Sequence, residues 1–153
     1  MRTRRIYRNK GGKKGTRSTN KSSTNTYSHQ NIIKMFLQMV NTVKLYHWKT
    51  SSYAQHKATD ELHGELNSNI DSFVEIMLGK DGSRVNLMDT KTLPLFDFTN
   101  VEQLKAEVEK YKKFLIGMND ASNLATTTNS DLLNVRDEIL GSLNKFTYLL
   151  TLK

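Results

Sequence analysis

Three features predict an all-α chain: four stretches whose apolar residues recur at helical period, a long aperiodic break between the second and third, and a basic N-terminal segment nearly devoid of aliphatic residues. The expected architecture is a four-helix bundle over residues 30–153, with a crossover between helices 2 and 3. A disordered basic tail over residues 1–29 precedes it. The chain has 153 residues, the size of one domain. A folded chain of this length buries about 70% of its extended surface, ample for a core.

Charge divides the chain at the tail. Arg2, Arg4, Arg5, Arg8, Lys10, Lys13, Lys14, Arg17 and Lys21 fall in the first 30 residues with no acid among them, and the remaining 14 basic residues meet 15 acidic ones. The bundle is therefore near neutral, and the tail carries the excess behind the net charge of +8. Rich in Gly, Ser, Thr and Asn, the tail cannot repay its ordering entropy by burial. A flexible polycation of this kind binds DNA or another polyanion through phosphates and counterion release. The competing reading is a solubilising tail or a nuclear-import signal. Tyr7 and Tyr27 could stack on bases, but two tyrosines decide nothing.

The first helix is expected from about Gln30 to Trp48, with Ile32, Ile33, Phe36, Met39, Val40, Val43 and Tyr46 as its apolar stripe. Ser51 and Ser52 offer N-caps for the second, which buries Leu62, Leu66, Ile70, Phe73 and Met77 and runs to about Leu78. Gly79, Gly82 and Pro94 then punctuate a stretch too long for a bundle turn, which reads as a crossover. A third helix opens at an Asn100 cap, repeats Val101, Leu104, Val108, Tyr111 and Leu115, and stops near Gly117. After the polar link MNDASNLATTTNS, a fourth helix capped by Ser130 turns Leu132, Val135, Ile139, Leu143, Phe146 and Leu150 inward.

The second helix also carries chemistry. At 100° per residue, His56, Asp60, Asp71 and Glu75 fall at roughly 0°, 40°, 60° and 100°, one polar stripe beside the apolar one. His56/Asp60 and Asp71/Glu75 are each i,i+4 pairs that can converge on one ion. The two pairs cannot share an ion within one chain, because His56 and Glu75 lie roughly 28 Å apart along the axis. Two copies packed antiparallel about a two-fold would bring His56 and Asp60 of one against Asp71 and Glu75 of the other, with the axis near Glu65 and Leu66. A lone helical His is usually solvated or buried in a core, so the combination carries the metal reading. His63 shares the sector as an interface or surface residue, His29 is expected in solvent, and Trp48 is expected in the core or at a dimer contact.

This constellation resembles the Dps proteins, the small DNA-protecting ferritins. That family places one metal ligand in a His-Trp pair ending the first helix; on the second come His, Asp four later, Asp eleven beyond and Glu four beyond that. The matching residues here are His47 beside Trp48, then His56, Asp60, Asp71 and Glu75. The connection between His47 and His56 is about three residues shorter than the family's and lacks its Gly. The runs HWKTSSYAQH and DSFVE are also similar to those of uncharacterised ferritin-like proteins of phages and large DNA viruses. The resemblance spans about residues 30 to 151 and implies a ferritin-like bundle. It further implies Fe(II) oxidation by peroxide or dioxygen at intersubunit sites (His47, His56, Asp60, Asp71 and Glu75), a dodecameric shell, and Trp48 as a nearby aromatic. Histidine and carboxylate ligands without thiolate suit iron, manganese or zinc, and the family points to iron.

Other chemistries lack their residues. With no cysteine there is neither a disulfide framework nor a thiolate nucleophile. GGKKG at 11–15 lies in the tail and is no phosphate loop, and G-x-S-x-G does not occur. No apolar run approaches a membrane span and none follows the basic start as in a secretory signal, so the expected setting is intracellular: cytoplasmic or nucleoid-associated, or the host cell or virion for a viral protein. The rival to an iron-oxidising protein is a non-catalytic DNA-condensing or virion architectural protein on the same bundle.

Overall fold

The computed structural model describes residues 26–152, which form α1 (His29–Lys49), α2 (Tyr53–Asp81), α3 (Val101–Gly117) and α4 (Ser130–Leu149), with 3₁₀ turns at Met118–Asp120 and Thr127–Asn129. Three helices open on side-chain caps: Ser28 Oγ accepts from Asn31 N–H, Ser52 Oγ from Gln55 N–H, and Asn100 Oδ1 from Gln103 N–H. The sequence correctly placed Ser52 and Asn100. It misplaced the fourth cap, since Ser130 is already helical and Asn129, the residue before it, spends its amide on Asn123 O and Leu124 O. α2 ends at Gly82 with φ +67°, the left-handed position that favours glycine.

Contacts at the helix ends set the directions. Tyr27, just before α1, donates its hydroxyl to Phe114 O near the end of α3. Lys80 at the end of α2 pairs with Asp131 at the start of α4, and Lys145 near the end of α4 reaches Glu61 and Glu65 in the first half of α2. Thus α1 runs antiparallel to α3, and α2 to α4. The crossover returns along the bundle, its Asp97 pairing with Lys49 at the end of α1. α2 is about 43 Å long, and a connection of this size extends to about 60 Å, enough to span it.

One core joins the four helices: Ile32, Phe36, Met39 and Val43 meet Leu62, Leu66, Phe73 and Met77, Leu104, Val108 and Leu115, and Ile139, Leu143 and Phe146. Phe36 and Phe73 meet edge to face, centroids 5.1 Å apart. The polar link before α4 is more than a connector, because Met118, Ala121 and Leu124 are buried in it. Arg136 fastens that end, donating to Leu115 O and Asn119 Oδ1.

The bundle also begins earlier than position 30. Tyr27 packs on Phe114 and approaches Gly117 so closely that a Cβ there would collide with its hydroxyl. The expected disorder of the tail, and its nine basic residues from Arg2 to Lys21, lie outside the described residues.

Candidate metal centre

A tight corner between α1 and α2 builds the site. Gln55 Oε1 accepts hydrogen bonds from the hydroxyls of Tyr46 and Thr50, both at 2.8 Å, latching the last turn of α1 onto the first turn of α2. The corner holds only Thr50, Ser51 and Ser52. Its shortness brings His47 directly over His56, with rings stacked at 3.9 Å and 24° between planes.

The two histidines hold each other through the backbone. His47 Nδ1 lies 3.1 Å from His56 O, and His56 Nδ1 lies 3.1 Å from His47 O. A carbonyl only accepts, so both Nδ1 atoms carry the proton and both Nε2 atoms keep a free lone pair when neutral. His47 Nε2 stands 3.8 Å from Asp60 Oδ1. Two donors bonding one cation at about 2.1 Å lie within about 4.2 Å of each other, so this pair can share a cation. His47 is buried, whereas Asp60 projects to the surface.

The structure thus gathers His47, His56 and Asp60 in one chain and leaves Asp71 and Glu75 apart. Both are exposed, and neither makes a hydrogen bond or ion pair within the described residues. Asp71 lies three turns along α2 from Asp60, about 16 Å. Among the described residues, no group of three or more His, Asp or Glu is arranged to hold an ion by itself.

Neighbouring residues refine the sequence reading. Trp48 is not in the core: it is 69% exposed, with the Lys44 ammonium 5.5 Å from its ring centroid. His63 is half-buried; burial, then Lys44 and His47, hold it below its ordinary pKa of 6.5. His29 is partly exposed but not free, lying 3.3 Å from Asp81. Neither residue expected at a two-fold axis faces outward, for Leu66 is fully buried and Glu65 is tied to Lys145. At that level Gly64 and Asn67 are exposed instead. Beside them, Leu37, Val40, Ile70 and Val74 line a groove of about 260 Å³ with Asp71 on its wall.

Thr59 and Gln55 escaped the sequence reading. Their signal was spacing: Thr59 follows His56 by three, and Gln55 precedes it by one on the first turn.

Residues 47–150 match DUF5856, a family of unknown function, and the chain belongs to that family. The match starts at His47 and takes in all five candidate ligands. No curated protein and no solved structure matches the chain. No helix among the described residues is long and apolar enough to cross a membrane.

Proposed function

We propose that the chain is a Dps-like, ferritin-like iron protein that binds Fe(II) as substrate and oxidises it at sites shared between two copies. The observation that carries this reading is the half-built site. His47 stacks on His56 and its Nε2 stands 3.8 Å from Asp60, while the remaining carboxylates of the same stripe, Asp71 and Glu75, stand exposed and unpaired about 16 and 22 Å farther along α2. A second copy related by a two-fold supplies its Asp71 and Glu75 to the first copy's histidines and receives the same in return. The apolar groove beside Asp71 gives that copy a surface to cover.

Each residue then has a role. Neutral imidazole Nε2 atoms and carboxylates suit iron, manganese or zinc. His47 and His56, each with its Nδ1 engaged by a carbonyl, would each offer its Nε2 to one of two adjacent cations. Asp60, Asp71 and Glu75 balance the charge that oxidation leaves behind. Two Fe(II) ions supply the two electrons that reduce one peroxide to water. Replacing Asp71 and Glu75 together by Ala abolishes fast peroxide-driven oxidation in stopped-flow absorbance while the protein stays folded; unchanged kinetics favour the architectural reading.

The tail adds nucleic acid as a partner. The nine positive charges that precede the near-neutral bundle in sequence bind DNA through phosphates, steeply weakened by salt and with little sequence preference. In a dodecamer, weak arms sum to tight binding. Removing residues 1–25 preserves the Ser28 cap and the Tyr27 contact, and it eliminates the shift of DNA in gels across a salt series. An equal shift by the truncated protein rules the tail out.

A further inference from the structure

Thr59 sits in the first turns of α2 with none of its surface exposed. A buried hydroxyl must find partners, and this one has three. Its proton goes to Gln55 O at 2.8 Å or His56 O at 3.0 Å, both carbonyls that only accept. The oxygen of Thr59 is therefore the acceptor toward His47 Nδ1, 3.3 Å away. The other acceptor for that N–H, His56 O, also takes the N–H four residues on in the α2 ladder. With the Thr59 hydroxyl also 3.0 Å away, the two lone pairs of that carbonyl face three donors, so the His47 N–H is held loosely there. The hydroxyl of Thr59 closes a fork around the His47 N–H and stops the ring from turning.

We propose that Thr59 is the positioning residue of this half-site, holding His47 as the Nδ1–H tautomer so that its Nε2 lone pair faces Asp60 before any cation arrives. The inference rests on the metal-binding reading for its affinity consequence, but not for its tautomer consequence. Partners of this kind that orient a ligating histidine change metal affinity by about 10- to 100-fold when lost.

The test uses full-length protein, with Zn(II) as a redox-inert probe. Long-range ¹H–¹⁵N spectra of the metal-free protein should show His47 protonated at Nδ1. Thr59→Val, nearly the same shape, should raise the Nε2–H fraction and weaken Zn(II) binding in calorimetry by about 10-fold, and Thr59→Ser should restore both. Wild-type and T59V spectra with the same tautomer overturn the proposal, as does a wild-type His47 protonated at Nε2, which needs no variant to fold. Should wild-type protein fail to bind Zn(II) or Fe(II) while T59V still changes the tautomer, the metal reading falls and the positioning role stands.

Discussion

Around His47 and His56, α2 is tied to α1 by two reciprocal histidine-to-carbonyl bonds, a ring stack, a buried threonine and the Gln55 latch. Three turns further on, Asp71 and Glu75 of the same helix stand in solvent with no partner among the described residues, although Phe73 between them is buried against Phe36. One end of the stripe is held in place within the chain; the other is anchored only through its backbone. A buried imidazole must be hydrogen-bonded to offset its desolvation, whereas an exposed carboxylate needs nothing. On the proposed reading, the contrast separates the candidate ligands that the fold itself positions from those that a neighbouring copy would have to position.

Stability should report that contrast first. His47→Ala removes a buried, hydrogen-bonded ring and is expected to cost about 1–3 kcal/mol in urea unfolding. Asp71→Ala and Glu75→Ala, in exposed positions, should each stay within about 0.5 kcal/mol under conditions that keep the chain monomeric. Equal losses at both ends would erase the distinction.

A smaller effect follows from His63, which faces Lys44 and His47 and whose pKa is held down mainly by burial. With the folded value below the unfolded one, the contribution of His63 is fully present above about pH 6.5 and is lost as pH falls through the depressed value. His63→Gln should flatten the decline of stability between pH 7 and pH 5 slightly, as read by thermal melts. A steeper decline in the variant would reverse the assignment.

Much of this was legible in the residues themselves. Helical periodicity located all four helices to within a few residues, because each buries one continuous stripe against a shared core. The 4-11-4 spacing of His56, Asp60, Asp71 and Glu75 placed them along one helix, whose length keeps the two pairs apart within a single chain. The docking of His47 on His56 depends on a three-residue corner and on Gln55, a tertiary contact that no periodicity encodes. Tyr27 fell into the tail for a related reason: its ring is one aromatic among polar residues, and its place against Phe114 and Gly117 exists only once α3 is folded. Burial of Met118 and Leu124 was hidden in the same way, by polar neighbours in a link with no regular period.

The proposal of a shared site is tested most directly by complementation. One variant carries His47→Ala, His56→Ala and Asp60→Ala; the other carries Asp71→Ala and Glu75→Ala. Each alone should fail to oxidise Fe(II), since every two-fold pair then lacks half of both sites. Co-folded in equal amounts, half the pairs are mixed and one of the two sites in each is intact, so activity should return to about a quarter of wild type. No recovery, in mixtures shown by native mass spectrometry to contain both variants in one assembly, would contradict a site built from two copies.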